Sequence, residues 1–219
     1  MNLKDVSFFS VLSDEDCEEI RPYFKSVTYR KKEMIFSEGD RSDWFYIVSK
    51  GKIKITRQSQ DGKELILELI QPNELFGAVA AFKGFPYPAN AVAMESSTVL
   101  KVSRNDLFKI IDMFPSVMFS IASVLGDRMK NSHDTLKNIA LERVESRIAS
   151  LLLKLAIKSS PDALRIDLKL TKQDIADMAG TTVETAIRTI SKFKKLGLIA
   201  EKKGMFVIKD PEGLGLFGP

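Results

Sequence analysis

The chain has 219 residues, 44% of them hydrophobic, with one cysteine, one histidine and a formal net charge of +4. That length and apolar content suit two modest domains with real cores, while the single Cys17 excludes an internal disulfide and, with the single His133, excludes a zinc site built from several Cys and His ligands. No apolar run approaches the roughly 20 residues that span a bilayer, and the start MNLKDVSFFSVLSDED lacks the long apolar region of a secretory signal, so a cytoplasmic protein without a membrane partner is expected.

Residues 3–25 read as helical, with Phe8, Phe9, Leu12, Ile20, Tyr23 and Phe24 on apolar faces and Ser13 as a cap before Asp14-Glu15-Asp16. From Val27 the period changes to two. Met34 to Phe36, Trp44 to Val48, Lys52 to Arg57 and Leu65 to Leu69 are short β-rich runs separated by Glu38-Gly39-Asp40, Lys50-Gly51 and Gln60-Asp61-Gly62, and Ala91 to Val102 adds more. Ile53 and Ile55 alternate with Lys52, Lys54 and Thr56, as an antiparallel roll with one buried face requires. Asp106 to Met113 predicts a short helix, and a longer one starts near Phe114-Pro115. On it Met118, Ala122, Leu125, Met129, Ser132, Leu136 and Ile139 follow a 4-3-4-3-4-3 spacing, the seam of a coiled coil. Such a stripe has to be covered, by a second copy or by the chain's own β-roll.

Lys137 to Arg143 is the expected hinge, followed by a helix from Val144 to Ile157 whose Ile148, Leu151, Leu152 and Leu155 form core. From Thr171 to Gly197 the pattern is two short helices around a tight turn. Thr171 caps the first with Asp174 at capping-box spacing, Ile175, Ala176 and Ala179 make its apolar face, and Gly180 ends it. Thr181 and Thr182 offer the next N-cap, and Ile187, Ile190 and Phe193 recur at helical spacing with Arg188, Lys192, Lys194 and Lys195 outside. This is a helix-turn-helix pattern, although an ordinary pair of amphipathic helices would explain the charges equally well. The next segment weighs against that plainer reading. Leu198 to Ala200 and Met205 to Ile208 read as two strands joined by Glu201-Lys202-Lys203-Gly204, a basic wing placed to touch phosphates. The charge agrees: from Arg143 on there are 14 Lys and Arg against 9 Asp and Glu, whereas residues 1–142 hold 19 against 20.

The glycine-punctuated strands resemble the cyclic-nucleotide-binding β-roll, and with the winged helix-turn-helix the chain resembles the Crp/Fnr superfamily of bacterial transcription regulators. Phe36-Ser-Glu-Gly39-Asp40, Phe45 to Ile55 with Gly51, Leu75-Phe76-Gly77 and Thr171 to Leu198 carry the likeness, in the family's order along nearly the whole chain. It implies an α+β fold: an N-terminal antiparallel, jelly-roll-like β-roll that senses an effector (1–113), a dimerisation helix and hinge (114–142), and a C-terminal winged helix-turn-helix that binds DNA (143–219). It also implies a homodimer paired along the seam, reading double-stranded DNA with an inverted repeat whose half-sites lie roughly 34 Å apart, and admits RNA polymerase as a partner. Glu184, Arg188 and Val183 are the expected base contacts, and Thr171, Thr182, Thr185, Lys202 and Lys203 the expected phosphate contacts.

In family members that bind cyclic AMP, the loop after the glycine of Leu75-Phe76-Gly77 supplies a glutamate for the ribose, and an Arg-Ser pair some ten residues on meets the phosphate. Here those positions read Ala78, Pro88 and Ala89. A cyclic phosphate buried without a cation or hydroxyl would cost several kcal/mol, so an effector other than cyclic AMP is expected. An iron–sulfur cluster needs about four thiolates and is excluded. Gly77, Phe76, Ala78, Phe82, Phe85, Pro88, Ala89, Met129, Ser132 and His133 remain as the expected effector pocket. Within it, His133 is a candidate axial ligand of a haem that binds nitric oxide or carbon monoxide, or a plain polar residue near the dimer contact. Met129, four residues earlier, points the same way and cannot sit trans to it. The other readings are a small organic ligand on the apolar wall of Phe76, Phe82 and Phe85, or a constitutive regulator. An enzyme finds no support, with no Ser-His-Asp set and no phosphate loop; a ligand-binding module acting through protein partners without DNA is the alternative of another class.

Overall fold

The computed structural model describes residues 3–160, 162–202 and 204–218. The chain forms two compact units, Met1–Lys130 and Asn131–Pro219.

The first unit opens with single 3-10 turns at Leu3–Asp5 and Ser7–Phe9, then α1 (Asp14–Ile20) and another 3-10 turn at Arg21–Tyr23. The expected helical stretch 3–25 is therefore broken. Ser13 starts α1 with a capping box, its hydroxyl accepting from the Asp16 N–H at 3.1 Å while the Asp16 carboxylate accepts from the Ser13 N–H at 3.0 Å, and Pro22, which lacks an N–H, stands just past its end. Eight strands follow: β1 (Lys25–Tyr29), β2 (Met34–Phe36), β3 (Trp44–Lys50), β4 (Ile53–Gln58), β5 (Glu64–Ile70), β6 (Leu75–Phe76), β7 (Asn90–Ala93) and β8 (Ser97–Ser103). They pair antiparallel in two four-stranded sheets, ordered β1-β8-β3-β6 and β2-β7-β4-β5. Between β6 and β7 lies α2 (Ala78–Lys83), where the sequence suggests a loop. Gly77 makes that turn possible, since its φ of +73° is left-handed and a Cβ there would press on the Tyr87 and Tyr46 rings at 3.2 and 3.3 Å.

Two apolar clusters hold this unit. One joins Phe8, Phe9, Ile20, Phe45, Ile47, Leu75, Leu107 and Ile110 to Val117 and Ile121. The other contains Phe36, Tyr46, Val48, Ile53, Phe76, Tyr87 and Val99. Strand β8 runs into α3 (Arg104–Met113), capped by Ser103, whose hydroxyl accepts from the Asp106 N–H at 3.1 Å. Then α4 runs from Ser116 to Leu141 without interruption. The expected hinge at 137–143 is thus narrower, because Lys137 to Leu141 still belong to α4 and only Glu142 and Arg143 separate it from α5 (Val144–Ser159). Among the described residues, no single helix is long and apolar enough to cross a membrane.

The second unit continues with β9 (Arg165–Ile166), α6 (Lys172–Ala179), α7 (Val183–Lys195), β10 (Ile199–Lys202), β11 (Met205–Ile208) and α8 (Pro211–Gly215). Strand β9, too short to show a period in sequence, completes an antiparallel sheet in the order β10-β11-β9. From α5, Ile148, Leu152 and Leu155 are buried as expected, while Leu151 is only half-buried.

Candidate nucleic-acid interface

Helices α6 and α7 with the β10–β11 hairpin form a helix-turn-helix followed by a wing. Thr171 caps α6 with the expected capping box: its hydroxyl accepts from the Asp174 N–H at 3.0 Å, and the Asp174 carboxylate accepts from the Thr171 N–H at 2.8 Å and its hydroxyl at 2.7 Å. Gly180 ends the helix at φ +60°, so the chain turns at a residue with no Cβ to strain. Thr182 then caps α7, accepting from the Thr185 N–H at 3.3 Å and touching the Thr185 hydroxyl at 3.0 Å. The Arg188 guanidinium donates to that hydroxyl at 3.4 Å. Thr182, Thr185 and Arg188 are therefore linked at the N-terminal end of α7, where unsatisfied N–H groups favour an anion.

The core face of α7 is Ala186, Thr189, Ile190 and Phe193, all buried. Ile187, which the sequence pattern assigns to that face, is 45% exposed. Its neighbours on the outer face are Glu184, Arg188 and Ser191, all exposed, whereas Val183 is half-buried at the helix start. Ile187, Arg188, Ser191, Lys192, Lys195 and Leu196 line a shallow groove.

Arg147, on α5, was given no role by the sequence pattern. Its guanidinium donates to the Ala179 carbonyl at 2.9 Å, the Gly180 carbonyl at 3.2 Å and the Glu142 carbonyl at 3.0 Å. It thereby satisfies the open carbonyls at the end of α6 and fixes the turn between the two helices. Sequence distance hid this, because the contact bridges 32 residues. Two of the lysines that the sequence places on the outer face of α7 are ion-paired, Lys192 with Glu145 at 2.7 Å and Lys194 with Glu201 at 3.3 Å, and Lys172 of α6 also pairs with Glu201. Burial pushes the Glu201 carboxyl up, but its two lysines bring it below the ordinary value. Lys202 is exposed at the end of β10, and Lys203, the other expected phosphate contact of the wing, lies outside the described residues.

Within the first unit, the expected effector residues lie in different surroundings. Phe76 sits in the interior of the roll with Phe36, Tyr46 and Tyr87. Phe82 belongs to the other cluster, edge-on to Phe45 at 5.0 Å and Phe108 at 5.5 Å, and Phe85 is 40% exposed. Ala78 and Ala89 are buried and Pro88 is exposed. The expected apolar wall of Phe76, Phe82 and Phe85 is thus replaced by an aromatic packing: Tyr87 stacks on Phe36 with centroids 3.8 Å apart and Tyr46 on Phe76 at 5.1 Å. The Tyr87 hydroxyl donates to the Trp44 carbonyl at 2.6 Å. Burial pushes the Tyr46 phenol far up and that of Tyr87 to about 12, so both stay neutral. Sequence reasoning missed Tyr87 because it lies between Pro86 and Pro88, outside any periodic run.

Met129, Ser132 and His133 are all exposed on α4. A haem needs an apolar slot around its ligand, and two exposed side chains on one helix do not supply it. Among the described residues no group of three His, Cys, Asp or Glu could hold a metal ion. Within one chain, the residues beside His133 do not fit a haem.

Residues 26–113 match the cyclic nucleotide-binding domain family, and residues 146–217 match the Crp-like helix-turn-helix domain family. The CRP-like cAMP-activated global transcriptional regulator of Mycobacterium tuberculosis is 28% identical over 191 residues, covering 86% of this chain and 85% of that one. The cyclic AMP receptor protein of Thermus thermophilus is 27% identical over 208 residues, covering 95% and 94%. Among solved structures, FixK2 from Bradyrhizobium japonicum superposes with a TM-score of 0.82 at 21% identity, covering 90% of this chain and 98% of that one.

Proposed function

We propose, for a chain that belongs to the Crp/Fnr superfamily of DNA-binding transcription regulators, that two copies pair along α4 and set their α7 helices into successive major grooves of an inverted-repeat site. The observation that carries this reading is the division of α4 into two faces. Val117 and Ile121 are buried inward, while Met118 (38%), Met129 (60%), Leu136 (63%) and Ile139 (42%) stand exposed at coiled-coil spacing. A stripe of that length left in water is costly, and a second copy of the same helix covers it with knobs in holes. The alternative cover, the chain's own β-roll, is disfavoured by the exposure of Met118 and Met129, which belong to the same unit as the roll. In the DNA-bound dimer, Arg188 donates to a guanine and Glu184 accepts from a cytosine. Val183, half-buried, lies at the edge of that contact. Thr171, Thr182, Thr185, Lys202 and Lys203 meet phosphates. Such a regulator works in the cytoplasm, alongside RNA polymerase.

The effector we propose is not cyclic AMP. Ala78, Pro88 and Ala89 offer a buried phosphate neither a cation nor a hydroxyl, and Phe36, Tyr46, Phe76 and Tyr87 already fill the interior of the roll. The fold of a cyclic-nucleotide domain is kept here with aromatic side chains packed inside it, which favours a regulator that responds to another small molecule or acts without one. Sedimentation and mobility-shift measurements on Leu136→Lys test the dimer: the variant should sediment as a monomer and lose most of its affinity for an inverted repeat while keeping weak half-site binding. A variant that remained dimeric and bound normally would remove α4 from the interface. Cyclic AMP should change neither the thermal midpoint nor DNA affinity, and a clear upward shift of the midpoint would contradict the proposed exclusion.

A further inference from the structure

We propose that Ile187 is a base-reading residue that recognises the 5-methyl group of a thymine beside the G·C pair read by Arg188. The inference rests on the DNA-binding reading above and adds to it a determinant of the site sequence. Helical periodicity puts Ile187 in the core with Ile190 and Phe193, yet it is 45% exposed while both of those are fully buried. A lone exposed isoleucine is ordinary on a protein surface. This one is placed where the surface is not ordinary. It lies three residues after Glu184 and four before Ser191, next to Arg188, so it sits at the edge of the outward face of α7 and lines a groove with Arg188 and Ser191.

A side chain at that place in a helix inserted into the major groove meets base edges. Isoleucine has no donor or acceptor, so opposite guanine, cytosine or adenine it would strip water from polar edges and return nothing. Thymine differs, because its methyl is the apolar group that the major groove displays. The β-branch also holds χ1 in one strongly preferred rotamer within a helix, so little freedom is lost on contact. Arg188, tied to Thr185 at 3.4 Å, leans toward the N-terminal end of α7 and leaves the isoleucine uncovered.

The test uses the full chain. A site is selected from random duplex DNA, and the G·C pair read by Arg188 is located as the position whose preference is lost in Arg188→Ala. Fluorescence anisotropy then compares the selected duplex with one in which the neighbouring thymine is deoxyuridine, which removes only the methyl. Burying one methyl is worth about a fourfold change in affinity, so the wild type should lose about fourfold per half-site and about sixteenfold when both halves are changed. Ile187→Ser should bind thymine and uracil alike, and Ile187→Val should still tell them apart. Equal wild-type affinity for the two duplexes would overturn the inference and leave the DNA reading intact. Failure to select any site would overturn both.

Discussion

Replacing Tyr87 with Phe probes the packing that fills the roll. The ring keeps its 3.8 Å stack on Phe36, so the change removes one hydroxyl and nothing else. That hydroxyl donates to the Trp44 carbonyl at 2.6 Å, and with Tyr87 at 2% exposure water cannot readily replace it. A carbonyl left inside the protein without its donor costs about 1–3 kcal/mol. The expected loss is about 2 kcal/mol. With a urea slope of about 1.5–2 kcal/mol per molar for a unit of this size, the midpoint should fall by about 1 M. Trp44 is the single tryptophan and its carbonyl is the acceptor, so its fluorescence follows the unit concerned. A midpoint within about 0.2 M of wild type would show that the phenol hydrogen bond contributes little, and the roll interior would then be looser than the structure describes.

The same phenol also sets an alkaline limit. The folded phenol of Tyr87 is raised to about 12 against about 10 unfolded, so its contribution is complete below pH ~10 and is lost as pH rises toward 12; Tyr87→Phe should flatten that decline in urea midpoints measured from pH 9 to 11. In the second unit Glu201 is depressed, so its contribution is present above the unfolded value and is lost as pH falls through the folded one; Glu201→Gln should weaken the acid dependence of unfolding below about pH 4.5. Arg147→Met keeps length but removes two charge-assisted hydrogen bonds to the turn between α6 and α7 and a third to the Glu142 carbonyl ahead of α5, and should lower stability by about 2–3 kcal/mol with a matching rise in the DNA dissociation constant. Arg188→Ala should cost about 1–3 kcal/mol at one base pair and relax preference there, whereas a uniform loss over all sequences would make Arg188 a phosphate contact. Hemin titration should give no stoichiometric Soret band, and a band abolished by His133→Ala would restore the haem reading.

Much of the fold was legible because local chemistry and tertiary packing agree. The Thr171–Asp174 capping box, the left-handed Gly180 and the Thr182 cap are decided within three or four residues, so residue types at fixed spacing suffice to place α6 and α7. The period-two strands were legible for the same reason. Where neighbours compete, the reading failed. Residues 3–25 contain helix-favouring apolar spacing, but Ser13 and Pro22 break it into one short helix and three 3-10 turns. Helix α2 is only six residues long and begins after a left-handed glycine, too short for a period to emerge.

The candidate site was legible in proportion to how far its residues act within one element. Glu184 and Arg188 are one turn apart and both are exposed, so a helical wheel finds them. Ile187 is one residue from Arg188, and the same wheel misassigns it, because a 100° step puts position 187 at the border between the buried Ala186–Ile190 edge and the open face. Only the packing of α7 on its own domain decides which side of that border a side chain falls. Arg147 and Tyr87 lie further out of reach: one serves carbonyls 32 and 33 residues away, the other donates across 43 residues to β3. Both satisfy buried or half-buried polar groups. The residues that hold a site in place are therefore harder to read from sequence than those that touch the ligand, since their partners are backbone atoms and any residue type can supply a carbonyl.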